Sequence, residues 1–123
     1  MKTIYIIGGI VLLIYISYRT YRFVTLDNGL AEKIENGAII LDVRTEKEYK
    51  LGHIDGSINI SLGTIRERYV ELDISKTSIT CCSHGLRSAK VETILKEKGF
   101  KNVFNGGAWT DLEKIANKQK SKQ

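Results

Sequence analysis

Apolar residues recur along this chain in two different rhythms. Residues 3–18, TIYIIGGIVLLIYISY, carry no charge. As a helix they would span about 24 Å, short of a hydrocarbon core of roughly 30 Å. Extension to Val24 reaches about 33 Å if Arg19 and Arg22 snorkel to the interface, which also suits Tyr15, Tyr18, Tyr21 and Phe23. Residues 3–24 are therefore expected to form a single-pass transmembrane anchor. The alternatives are a cleaved signal peptide or a buried soluble helix. A signal peptide would need a small-x-small site after the apolar run, and SYRTYRFV is bulky and basic.

From residue 25 the rhythm shortens. LAEKIENG (30–37) predicts a short helix stopped by Gly37, and AIILDV (38–43) an apolar strand. EKEYK (46–50) fits a helical turn, GHIDG (52–56) a glycine-bracketed turn, and SINI (57–60) a short strand. GTIRERYVELD (63–73) puts Ile65, Tyr69 and Leu72 on one helical face. TSITCC (77–82) is a β-branched strand. RSAKVETILKEKG (87–99) is an amphipathic helix with Ala89, Val91, Ile94 and Leu95 inward and Gly99 as its stop. NVFN (102–105) predicts a strand and DLEKIANK (111–118) a final helix. Strands alternating with helices predict an α/β domain over 25–117, with a parallel sheet and helices on both faces.

Composition adds little to this pattern. The 123 residues suggest one domain, and 42% apolar with 27% charged residues is ordinary for a globular chain. The net charge of +5 gathers near the ends, at Arg19 and Arg22 and at Lys114, Lys118, Lys120 and Lys122, so 118–123 reads as a basic tail. There is no aromatic–basic interleaving and no nucleic-acid motif, so nucleic acid is not an expected partner. The membrane orientation is nearly balanced between Lys2 and the Arg19/Arg22 pair. It leans slightly to a cytoplasmic domain, as does a free reactive thiol.

The candidate chemistry lies in CCSHGLRS, residues 81–88. The two cysteines are the only ones in the chain, and adjacent cysteines bridge only under strain. The stretch runs from a predicted strand into a predicted helix, where loop amides and the helix dipole make an anion nest. A thiol there is expected to ionise easily, and Arg87 to turn its fork toward an anionic substrate. Strand alternation puts Cys81 on the packing face of Ile79 and leaves Cys82 leading into the loop. Counted from Cys82, glycine falls three positions on; counted from Cys81, that place is His84, whose Cβ would crowd a tight cradle. Cys82 is thus the expected nucleophile. Cys81 is expected to pack, with a resolving role left open. Ser83, His84, Gly85 and Leu86 line the expected mouth, and Ser88 is placed to bond the loop or the sulfur. Asp42 and Arg44 are expected as supports, His53 as a satisfied structural histidine, and Trp109 as a core residue. The two histidines and two cysteines make a poor zinc set, and no cofactor is expected.

These segments resemble the rhodanese (sulfurtransferase) family. CSHGLRS is similar to its active-site loop C-x-x-G-x-R-S, LDVRTEKEYKLGHIDGSINI (41–60) to its D-V-R…E-[FY]-x-x-G-H-I motif, and NVFNGGAW to its closing strand. The Gly-Gly pair and Trp109 lie closer together than in many members. The resemblance covers roughly residues 26–113 and implies a five-stranded parallel sheet flanked by helices. It also implies a Cys82 persulfide, loaded by a small anionic sulfur donor such as thiosulfate and discharged to cyanide, a thiol or a protein cysteine. Two alternatives remain: a phosphatase or arsenate-reductase-like enzyme, whose C-x5-R spacing would be met from Cys81, and a non-catalytic membrane-tethered interaction module.

Overall fold

The structure, a computed structural model, describes the backbone of residues 1–121 and the side chains of residues 1–21 and 29–118. Its elements are α1 (Lys2–Glu35), β1 (Ile39–Asp42), α2 (Glu46–Leu51), β2 (Ile58–Asn59), α3 (Ile65–Arg68), β3 (Ser78–Cys82), α4 (Leu86–Glu97), β4 (Val103–Ala108) and α5 (Trp109–Ser121). The predicted anchor 3–24 and residues 30–35 of the predicted helix 30–37 fall within the single helix α1, and Gly37 (φ 90°) lies just past its end. Lys2–Tyr21 is long and apolar enough to cross a membrane, and none of it is buried against the rest of the protein. The predicted basic tail is helical as far as Ser121; the side chains of 119–123, including Lys120 and Lys122, lie outside the described residues.

The four strands form one parallel sheet in the order β2-β1-β3-β4. The five strands implied by the family resemblance are thus four among the described residues. All four strand-length runs read from the residues pair, but the stretch before β1 is taken up by α1 as far as Glu35. The predicted helix 63–73 shortens to one turn of α3, continued as a 3-10 turn at Tyr69–Glu71. Ile65 and Leu72 are nonetheless buried, with Tyr69 packed beside them.

Because helices cover both faces, the central strand β3 is buried along its whole length. Its side chains alternate between two cores. Cys82 joins Leu41, Val43, Ile60, Val91 and Leu95 beneath α4. Ile79 and Cys81 join Leu30, Ile40, Ile54, Leu112 and Ala116 beneath α1 and α5. In α4 the predicted inward residues Val91, Ile94 and Leu95 are buried, whereas Ala89 is exposed and Ser88 takes the inner place in the first turn.

Strand β4 is longer than predicted and carries Gly106 and Gly107 within it. A Cβ on Gly106 would stand 2.7 Å from Ile79 Cγ2, 2.9 Å from the Thr80 carbonyl oxygen and 3.0 Å from Leu112 Cδ2. The bare glycine is what lets α5 close onto β3 at this level. Gly106→Ala should therefore destabilise the domain by about 1–3 kcal/mol, the usual cost of overpacking. A lowered midpoint in chemical denaturation of the full chain, at unchanged m-value, is the expected reading.

Candidate active site

Two features of the sequence make the loop after β3. The strand ends at Cys82, and Gly85 takes up a left-handed conformation (φ 96°) as the N-cap of α4. A side chain there would be strained by φ, and its Cβ would meet Gly107 Cα at 3.3 Å. The turn folds the chain back over the sulfur, so the Gly85 N–H donates to Cys82 Sγ at 3.0 Å. The Cys82 S–H lies 3.5 Å from Ser88 Oγ, and Ser88 donates in turn to Asn105 Oδ1 at 2.7 Å.

Burial would raise the Cys82 thiol. The Ser88 hydroxyl and the backbone N–H groups of Ser88, His84 and Gly85 outweigh it, and the net shift is below the ordinary thiol value. On ionisation the Ser88 proton can swing from Asn105 to the sulfur, since a hydroxyl rotates freely. Cys81, one residue earlier, is fully buried on the opposite face, and burial with the nearby Asp42 carboxylate pushes it up to about 12. The two thiols are chemically distinct because strand parity puts them in different surroundings.

Asn105 went unremarked in the sequence. It accepts from Ser88 and from the Gly107 N–H (2.9 Å), and its amide donates to the Gly85 carbonyl (3.3 Å). It therefore braces the loop from β4. Only the parallel pairing of β3 with β4, Thr80 against Asn105, brings it there.

Arg87 is engaged within the chain. Its Nη1 donates to Glu48 Oε1 at 2.8 Å and its Nη2 to Glu48 Oε2 at 3.0 Å, and Nη2 also reaches Ser83 Oγ at 2.8 Å. Ser83 donates to the same Glu48 carboxylate at 3.1 Å. The Arg87 hydrogen bonds, with help from Thr45 and Ser83, hold the Glu48 carboxyl far below the usual carboxylate range despite opposing desolvation. Glu48 is placed for this by its own helix. Thr45 caps α2, and Glu48 closes the capping box as the third residue, its carboxylate accepting from the Thr45 N–H at 3.2 Å. T-x-x-E was legible in the sequence as such a box; its partner 39 residues away was not.

Asp42 and Arg44 lie behind the loop. Arg44 Nη2 donates to Asp42 Oδ2 at 2.7 Å and to the Gly52 carbonyl at 2.7 Å, and the guanidinium lies 4.6 Å from the centre of the Trp109 ring. Both residues are buried and bonded to each other rather than open at the mouth. His53 is likewise engaged: its Nδ1 bonds the Tyr49 carbonyl at 2.8 Å and its ring stacks on Tyr49. His84 and Leu86 are exposed at the mouth. No cluster of His, Cys, Asp and Glu among the described residues is arranged to hold a metal ion.

Comparison with known proteins identifies the domain's family. Residues 27–109 match the family described as the rhodanese-like domain. The chain is 38% identical over 94 residues to the putative sulfurtransferase YtwF of Bacillus subtilis, covering 72% of this chain and 91% of that protein. It is 34% identical over 74 residues to the thiosulfate sulfurtransferase PspE of Escherichia coli, covering 58% and 71%. A rhodanese-related protein from Thermoplasma volcanium superposes with a TM-score of 0.62 at 31% identity, over 71% of this chain and 85% of that one. Other relatives are much longer: the chain spans 25% of the tRNA uridine(34) hydroxylase of Buchnera aphidicola and 36% of the putative sulfur carrier protein YrkF of Bacillus subtilis.

Two measurements check the site. Although both thiols are buried, iodoacetamide should alkylate Cys82 faster than Cys81 in the folded chain, with a rate that rises with pH through an inflection below that of an ordinary thiol. Fragment-ion sequencing of the tryptic peptide 77–87, which carries both cysteines, distinguishes them. Asp42→Ala should cost about 3–5 kcal/mol in chemical denaturation, because it leaves the buried Arg44 charge unpaired.

Proposed function

The chain belongs to the rhodanese-like domain family, and on that premise we propose that it transfers sulfane sulfur through a persulfide on Cys82. The observation that carries this reading is the Cys82 sulfur held 3.0 Å from the Gly85 N–H at the amino end of α4, with its pKa lowered. Relatives named as sulfurtransferases support the same general chemistry.

The cycle has two displacements. The Cys82 thiolate attacks the outer sulfur of a donor; a new S–S bond forms as the donor's own bond to that sulfur breaks. Thiosulfate is the simplest such donor, and its leaving group is sulfite. The Cys82 persulfide anion then lies among the amides that held the thiolate, where negative charge is stabilised. A second nucleophile, such as cyanide, a small thiol or a protein cysteine, takes the outer sulfur and regenerates the thiolate. This is double-displacement chemistry. Cys81 takes no part: it faces the other core, and its thiol stays protonated at neutral pH. Sulfur transfer is favoured over phosphoryl transfer because the loop closes on Cys82 through Gly85, whereas the longer C-x5-R register would start at Cys81, which faces the opposite core away from the loop. The Lys2–Tyr21 helix supports a membrane-tethered form of the enzyme.

Intact mass after incubation of the full chain in detergent with a sulfane sulfur donor tests the proposal. The expected result is a gain of one sulfur atom that survives Cys81→Ala and is abolished by Cys82→Ala. Phosphate release from an aryl phosphate, with no sulfur adduct from any donor, would overturn it.

A further inference from the structure

The Cys82 cradle and the arginine beside it differ in charge. The cradle amides point at the sulfur, whereas the guanidinium of Arg87 is already bonded. Of its five N–H donors, three are committed, two to the Glu48 carboxylate and one to Ser83 Oγ. Glu48 is itself fixed by Arg87, by Ser83 and by the Thr45 amide and hydroxyl. The rim of the site is therefore an internally neutralised ion pair. At the mouth, Leu86 presents an apolar side chain that is 82% exposed.

From this geometry, and resting on the sulfur-transfer reading, we infer that Glu48 is a specificity-determining positioning residue that turns the site away from dianionic donors and toward hydropersulfides of organic thiols. Thiosulfate brings two negative charges and releases a sulfite dianion. To engage Arg87 it must compete with a carboxylate already seated in the guanidinium fork, and Glu48 adds a like charge nearby. A hydropersulfide, R–S–SH, asks less of Arg87. The Cys82 thiolate attacks the outer sulfur, the R–S to S bond breaks, and the electron pair leaves on the R–S thiolate. The proton stays on the new Cys82 persulfide and then passes to solvent or to the departing thiolate. No oxidant or reductant is consumed. The leaving group carries one charge on sulfur, and its organic body can rest on Leu86.

The test compares two donors, thiosulfate and cysteine hydropersulfide, loading Cys82 of the full chain in detergent. In the wild type, kcat/KM for thiosulfate should be about tenfold or more below that for cysteine hydropersulfide. Glu48→Gln keeps the capping box, which accepts glutamine, but removes the charge. It should raise the thiosulfate-to-hydropersulfide ratio about tenfold or more, mainly through a lower KM for thiosulfate. Glu48→Asp, which keeps the charge, should leave the ratio near the wild-type value. A merely structural Glu48 would lower both efficiencies together and leave the ratio unmoved, and that result overturns the inference. So does a wild type that takes thiosulfate as readily as the hydropersulfide, a reading that does not depend on any variant folding. Loading by neither donor in either protein would instead sink the sulfur-transfer reading itself.

Discussion

The active-site end of this domain is organised around the buried ion pair of Asp42 and Arg44. Asp42 is the last residue of β1, and Arg44 turns back on it while reaching forward to the Gly52 carbonyl. Asn59 ties the same stretch from β2, its amide donating to the carbonyls of Asp42 and Arg44 at 3.0 Å each. The chain from 44 to 52 is thereby drawn around one guanidinium, with the Trp109 ring against it. That curvature sets the position of α2. A pair this deeply buried (5% and 1% exposed) gains little net stability over apolar packing. It does impose one geometry, since either charge left alone would be costly.

From α2 the constraint passes to the loop after β3. Thr45 and Glu48 reciprocally cap the helix, and Glu48 then holds Arg87 and Ser83. On the other side Asn105 holds Ser88 and Gly85 from β4. The loop is clamped from both flanks, so its amides stay aimed at Cys82 without help from a bound anion. Preorganised donors of this kind are what stabilise a thiolate or a persulfide in a water-poor pocket. The same clamp engages the arginine that the motif suggests is free for substrate. Different groups thus hold the sulfur and the arginine: a backbone N–H the first, Glu48 and Ser83 the second.

Much of this was legible in the residues, where local rules decide. The four strand-length runs paired, because short apolar stretches bounded by turn residues have few other uses in such a chain. Strand parity separated Cys81 from Cys82, and the requirement for a left-handed residue singled out Gly85. Family resemblance was less reliable than the residues on strand number, with five implied and four present among those described. The helix read over 63–73 survived only as a turn, because Ile65, Tyr69 and Leu72 meet the core equally well from a short irregular segment.

By itself, then, the sequence determined the element types, the alternation that buries β3 on both faces, and the identity of the thiol at the loop. Each depends on neighbours within a few positions. Only the tertiary structure decided what Arg87, Glu48 and Asn105 do. Their bonds span 39 residues from Arg87 to Glu48 and 17 from Asn105 to Ser88. Whether a guanidinium meets a substrate or a carboxylate of its own chain depends on which strands lie side by side and at what register. Parallel pairing brings together residues whose separation in sequence carries no trace of their contact.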